Sequence, residues 1–172
     1  MQLKCLHYTT EYNSPLGKTT MESDGIALTG LWFNEQKYFA DSLAKNSEAK
    51  NLPIFEETKA WLDRYFKGEN PGKIPAVHLA GTKFRLKVWK ILSKISYGKT
   101  ISYGHIANKL ANEMDIQKMS AQAVGGAVKH NPIAIIIPCH RVVGANGNMT
   151  GYAAGISRKV KLLEMEKKTT NS

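Results

Sequence analysis

Residues 138–142 read Pro-Cys-His-Arg-Val and follow the apolar run Ile133-Ala134-Ile135-Ile136-Ile137. A thiol beside an imidazole can perform nucleophilic catalysis. The thiolate is the reactive form, and an ordinary thiol is mostly protonated at neutral pH. A neighbouring base, itself oriented by a third group, is the usual way to remove that proton. The apolar run predicts a buried strand that stops at Pro138 and holds Cys139 at its mouth. Successive side chains on an extended backbone point to opposite faces, so a bridging water is expected between His140 and the Cys139 sulfur. A second reading stands beside this one: Cys139 as a small buried hydrophobe, as free cysteine often is, with His140 a satisfied interior group.

Composition narrows the setting. The chain has 172 residues, 42% of them apolar, which suits one ordinary domain or two small ones. No apolar run is long enough to span a bilayer, and residues 1–7 lack a secretory pattern. Two distant cysteines, Cys5 and Cys139, make no disulfide framework. A reducing, cytoplasmic setting is the expectation. The net charge of +10 is uneven: residues 1–75 hold nine Lys/Arg and ten Asp/Glu, residues 76–172 fifteen and four. All the excess positive charge therefore accompanies Cys139. A polyanion partner would explain this, and so would a solvated basic surface.

The elements that must position the pair can be read in outline. Residues 3–10, 18–23 and 26–33 read as strands, with turns at Asn13-Ser14-Pro15-Leu16-Gly17 and at Asp24-Gly25, a hairpin signal. A polar helix is expected over 37–44. A helix over 55–66 places Thr58, Trp61, Leu62, Tyr65 and Phe66 on one face. Residues 67–76, with Gly68, Pro71, Gly72 and Pro75, read as a linker, and the charge changes at the same place. We therefore expect two domains, 1–75 and 76–172. In the second, Thr82 caps a helix over 84–95, Ser102 one over 103–110, and Ser120 one over 121–130. The last two suggest a helix-turn-helix. Gly125-Gly126 fits close approach to another backbone or to DNA, or else close helix packing. A loop follows over 144–151, then a final helix over 157–168.

The second half resembles the O6-alkylguanine-DNA alkyltransferases, or methylated-DNA–protein-cysteine methyltransferases. The resemblance is carried by Phe84-x-x-x-Val88-Trp89, Ile101-Ser102-Tyr103, Ala123-Val124-Gly125-Gly126-Ala127, Asn131-Pro132, Ile137-Pro138-Cys139-His140-Arg141-Val142, Gly151-Tyr152 and Leu162-Leu163. It implies an α/β N-terminal domain, a small antiparallel sheet with helices and ribonuclease-H-like, plus a mostly α C-terminal domain with the helix-turn-helix. It also implies suicide repair of double-stranded DNA containing O6-alkylguanine, and of O4-alkylthymine as a further substrate. The helix-turn-helix enters the minor groove, the damaged base is extruded, and Cys139 takes the alkyl group. Glu166 orients His140, which draws the thiol proton through a water. Asn131 braces the turns around the active site. Tyr103 donates to the guanine, the Cys139 and Val142 carbonyls read its exocyclic amine, the Ala153 amide reaches O6, and Tyr152 walls the pocket. Phe84, Arg85, Gly104, Gln122, Lys129 and Ala145 face DNA. No metal, methyl donor or organic cofactor is implied, nor any membrane, and the two-domain fold is expected to be a monomer.

The chain departs from the family pattern in places. Gln122 stands where an intercalating arginine is usual; it can fill the gap left by the base but has no charge and no stacking plane. The turn between Leu110 and Ser120 is long and holds Glu113 and Asp115, so it is expected to point away from the duplex. Some members bind zinc in the N-terminal domain; Cys5, His7 and His78 fall short of the four ligands of a structural site, and no zinc is expected. Arg141 is expected to bridge to the N-terminal domain, and a surface ion pair is the alternative for Glu166. Two other functions remain open: a non-enzymatic module that binds alkylated DNA, and a cysteine hydrolase using Cys139, His140 and Glu166.

Overall fold

The computed structural model describes residues 6–39 and 43–171. Four strands form the first sheet: β1 (His7–Ser14), β2 (Gly17–Ser23), β3 (Leu28–Phe33) and β4 (Ser47–Ala49), in the order β3-β2-β1-β4. The first three pair antiparallel, whereas β4 joins β1 in parallel. The Ser14 hydroxyl closes the β1–β2 turn by donating to the Gly17 carbonyl at 2.7 Å and accepting from Leu16 N–H at 3.1 Å. The turn at Asp24-Gly25 is wider than a two-residue hairpin. The Asp24 carboxylate accepts from the Ile26 and Ala27 amides, both at 3.0 Å, so β3 begins at Leu28 rather than at residue 26. The helix expected over 37–44 falls partly on residues 40–42, outside the described residues. Helix α1 (Pro53–Phe66) starts on a proline and buries Phe55, Thr58, Trp61, Leu62 and Tyr65. Its inward face packs with Met21, Leu31 and Phe33 of the sheet in one core.

The basic half is helical. Helix α2 (Lys83–Leu92) is capped by Thr82, α3 (Tyr103–Glu113) by Ser102 and α4 (Ala121–Lys129) by Ser120; each cap hydroxyl accepts an amide of the first turn. The Trp89 indole ties α2 to α4 by donating to the Ala127 carbonyl at 2.9 Å. A short parallel pair, β5 (Ile101–Ser102) with β6 (Val142–Val143), and a last helix α5 (Ile156–Thr170) complete the chain.

The edge of β3 is where the halves meet. Leu28 exchanges backbone hydrogen bonds with Ala76 and His78, at 2.9 and 2.8 Å, and Leu31 with Pro132 and Ala134, both at 2.9 Å. An unpaired edge is thereby covered. The buried apolar residues of both halves form one continuous cluster.

Candidate active site

The run 133–137 is not a strand. Only Ile133 forms a bridge, to Leu31, after which the chain coils back on itself with Ile135 at φ 68°. Asn131 explains the coiling. Its side-chain amide donates to the carbonyls of Ile137 (2.7 Å) and Ile133 (3.3 Å), and its oxygen accepts from Ile133 N–H (3.1 Å). One buried side chain thus satisfies backbone groups that a ladder would otherwise pair. The turn ends at Pro138, and Cys139–Arg141 form a single 3-10 turn leading into β6. Cys139 is therefore not at the mouth of a rigid strand; a side-chain-braced turn holds it.

Behind this turn lies a saturated charge cluster. Glu166, on α5, is fully buried. Its Oε1 accepts from His140 Nε2 (2.7 Å), the Tyr65 hydroxyl (2.7 Å) and Arg141 Nη2 (3.0 Å). Its Oε2 accepts from Arg141 Nε (2.9 Å) and Gly98 N–H (3.0 Å). Burial alone would raise the carboxyl, but His140 and Arg141 prevail and hold it at about 2. It is thus ionised and can only accept. His140 Nε2 must then carry the hydrogen, which leaves the lone pair on Nδ1. That Nδ1 is buried and, among the described residues, has no hydrogen-bond partner. Burial also lowers the His140 pKa, against the pull of Glu166, so the imidazole is neutral and basic at Nδ1.

Two expectations change here. Glu166 is not a surface pair but the centre of the cluster. Arg141 does not bridge to the N-terminal domain: it pairs with Glu166, donates to the Ile95 carbonyl at 2.6 Å and lies over the Tyr97 ring. Tyr65 of α1 makes the link from the first half instead.

Burial pushes the Cys139 thiol up. A hydrogen bond from Asn131, the Lys159 charge and the amides of residues 139 and 140 pull it back. Lys159 is a buried cation whose Nζ donates to the carbonyls of Val142 (2.5 Å) and Thr150 (2.7 Å). Burial lowers it to about 8, partly offset by Cys139. Tyr152 is buried, and its hydroxyl has no partner among the described residues. The Tyr103 hydroxyl donates to the carbonyls of Thr150 (3.2 Å) and Gly151 (3.0 Å); burial and then Cys139 push it to about 12, so it stays a donor.

In front of Tyr103 runs a groove of about 640 Å³ lined by Gln122, Gly125, Gly126, Lys129 and His130 of the α4 region, among others. A Cβ at Gly125 would reach ordinary contact with the Tyr103 ring, while one at Gly126 would meet nothing within 4 Å. Gly126 is thus not a helix-packing glycine; it leaves backbone bare to the groove. Phe84, Arg85, Gly104 and Ala145 are not among the groove's lining residues, and Ala153 is half-buried beside Tyr152. Glu113 lines a separate depression with Lys87, Lys90 and Lys109. His7 lies against Glu22 and His78 against Asp24, and Cys5 is outside the described residues.

Sequence reasoning missed Tyr65 and Lys159 as site residues. The signal for Lys159 was present: Lys159, Leu162, Leu163 and Glu166 are spaced i, i+3, i+4, i+7, the inward stripe of α5. A charge at each end of such a stripe marks a buried pair of polar positions.

Comparison with known proteins identifies the family and the fold. Residues 83–168 match the family model described as 6-O-methylguanine DNA methyltransferase, DNA binding domain, and residues 6–72 that of 6-O-methylguanine DNA methyltransferase, ribonuclease-like domain. A methylated-DNA–protein-cysteine methyltransferase of Mycobacterium tuberculosis is 43% identical over 162 residues, 94% of this chain and 93% of its own length. The protein of that name from Haemophilus influenzae is 37% identical, covering 93% of this chain and 86% of its own. The crystal structure of Mycobacterium tuberculosis OGT in complex with DNA superposes with a TM-score of 0.80 at 39% identity, over 95% and 94% of the two chains. The buried Cys139 turn thus sits in a chain that belongs to the methylated-DNA–protein-cysteine methyltransferase family.

Proposed function

We propose that this enzyme repairs DNA by moving the alkyl group of O6-alkylguanine onto Cys139, once per molecule. The sulfur attacks the alkyl carbon, the S–C bond forms as the C–O6 bond breaks, and guanine is the leaving group. His140 Nδ1 takes up the thiol proton through a water, and that proton passes by way of the water to the departing guanine, restoring its ring N–H. The thioether is stable, so the protein is consumed. O4-alkylthymine, which presents the same alkyl–oxygen bond, is a second substrate.

The observation that carries this reading is the His140 tautomer. An ionised Glu166 on Nε2 leaves a buried lone pair on Nδ1, in the residue next to the thiol. In this reading Cys139 is the nucleophile, His140 the base and Glu166 its orienter. Lys159 favours the thiolate. Asn131 fixes the turn, and Tyr152 walls the pocket. The Tyr103 hydroxyl exchanges its loop carbonyls for the guanine. The Cys139 and Val142 carbonyls bind the exocyclic amine; Val142 can do so while accepting from Lys159, because a carbonyl has two lone pairs. The Ala153 amide meets O6.

Helices α3 and α4 act as a helix-turn-helix in the minor groove, where Gln122 fills the gap of the extruded base. Lys129, Arg85, Phe84, Gly104 and Ala145 hold the backbone. The charge excess of the second half supports a phosphate-bearing partner, and the protein acts as a cytoplasmic monomer of two domains, 1–75 and 76–172. Among the described residues no helix is long and apolar enough to cross a membrane.

The test is incubation with an O6-methylguanine oligonucleotide followed by intact-mass measurement. One methyl on Cys139 is expected. Unchanged mass with retained binding points to a binding module, and turnover without mass gain to a hydrolase; either overturns the proposal.

A further inference from the structure

The groove in front of Tyr103 is not built by the second half alone. Tyr38, in the segment after β3, lines it together with Gln122, Lys129 and His130. Its ring stacks on the His130 imidazole, centroids 4.3 Å apart and planes 25° apart. His130 is fixed in turn by Nδ1 donating to the Gly126 carbonyl at 2.7 Å. Tyr38 is 41% exposed and has φ 66°. A bulky residue in the left-handed region is uncommon and persists only where its surroundings hold it, often at functional sites. The neighbouring Lys37 amide donates to the Ala153 carbonyl at 3.3 Å, so this segment is fastened to the loop that walls the pocket.

These observations converge on one missing part. Gln122 offers no plane on which a base could stack. The Tyr38–His130 pair offers one in the same groove, and each ring follows an exposed lysine in the chain, Lys37 and Lys129. We infer that Tyr38, backed by His130, is a DNA-contact residue contributed by the N-terminal half, stacking on a nucleotide of the duplex beside the extruded base. The inference rests on the repair function proposed above. Aromatic side chains receive any base regardless of sequence, which suits an enzyme that must meet its lesion in every context.

The test compares Tyr38→Gly, Tyr38→Ala and Tyr38→Phe with the unaltered protein. Methyl transfer is timed on O6-methylguanine duplex and on free O6-benzylguanine, which needs no DNA contact, alongside duplex affinity and thermal melting. Removing the ring should weaken duplex binding and slow duplex transfer by about tenfold, the size of one lost stacking contact. Tyr38→Phe should restore both. Tyr38→Gly, freed from the left-handed constraint, should melt no lower than the unaltered protein. Unchanged duplex transfer in Tyr38→Gly overturns the inference, and so does equal slowing on both substrates, which would make Tyr38 a mere prop for His130. If the unaltered protein takes an alkyl group from neither substrate, the repair function itself fails, and the inference with it.

Discussion

The two sides of the Cys139 turn are built on opposite plans. Behind it, Glu166 receives hydrogen bonds from four residues, and every one is buried or backbone. In front, among the described residues, His140 Nδ1 and the Tyr152 hydroxyl have no partner, and the Tyr103 hydroxyl donates to loop carbonyls. Buried polar atoms are normally paired, and each exception calls for an explanation. A satisfied network is rigid, so the back fixes where the imidazole stands. The front keeps its hydrogen-bonding capacity. In the function proposed above, catalytic precision and substrate reception fall to different faces of one turn.

Substitutions on each face test this division. The largest effect is expected at the nucleophile: Cys139→Ser should abolish alkyl transfer, read by intact mass, while duplex affinity stays near that of the unaltered protein. Retained transfer would end the assignment of the site. Next, Glu166→Gln keeps the shape of the back but removes its charge. It leaves Arg141 buried without a counter-charge, so stability should fall by about 3 kcal/mol or more in urea titration. Transfer should slow about a hundredfold as the tautomer is lost. The acid limb gives an independent reading. The Glu166 carboxyl moves from 4.5 in its ordinary state to about 2. Its stabilisation is therefore complete above pH 4.5 and is lost as pH falls through 2. Glu166→Gln should flatten that part of the stability curve.

Lys159→Met tests the boundary between the faces. Without its cation the thiolate forms at higher pH, so the rate profile should shift toward alkali. Lys159 itself is lowered from 10.5 to about 8. The unfolded chain then binds more protons between those values, and stability should rise with pH across that window in the unaltered protein but not in the variant. A rate profile that does not move would remove Lys159 from the chemistry. The smallest effects belong to the outer front. Gln122→Gly should slow repair of duplex by about tenfold, set by an unstacking cost of a few kcal/mol, and spare free O6-benzylguanine. Gln122→Arg should match or exceed the unaltered protein on duplex. Equal slowing on both substrates would make Gln122 a structural residue of α4.

Local signals were legible where the chemistry is local. Thr82, Ser102 and Ser120 announce three helix starts, and α1 follows its apolar stripe. The segment 133–137 was misread because a run buried on all sides has no period, and five apolar residues suit a strand or a coiled turn equally. What decides between them is Asn131, whose side chain replaces a ladder, and its partners become apparent only in three dimensions. The β5–β6 pair, two residues long on each side, carries too little pattern to find. Resemblance paired Glu166 with His140, and the two lie 2.7 Å apart, but the partners of Arg141 were not foreseen. A buried arginine takes the carboxylate that folding brings nearest, and no spacing rule reaches from residue 141 to residue 166. Tyr65 was legible as core; its hydroxyl was the part that mattered.

The distance along the chain between Tyr65 and Glu166 is 101 residues. The hydrogen-bonded position of His140, the base proposed above, is therefore set only when α1, the Cys139 turn and the final helix have all docked. Contacts this remote form late, after long loops have closed. A partly folded chain carries an ordinary thiol with no oriented imidazole beside it. In the repair proposed above, reactivity toward an alkyl donor would thus report on completed folding: an unravelled molecule would be spared alkylation, and only the finished one consumed.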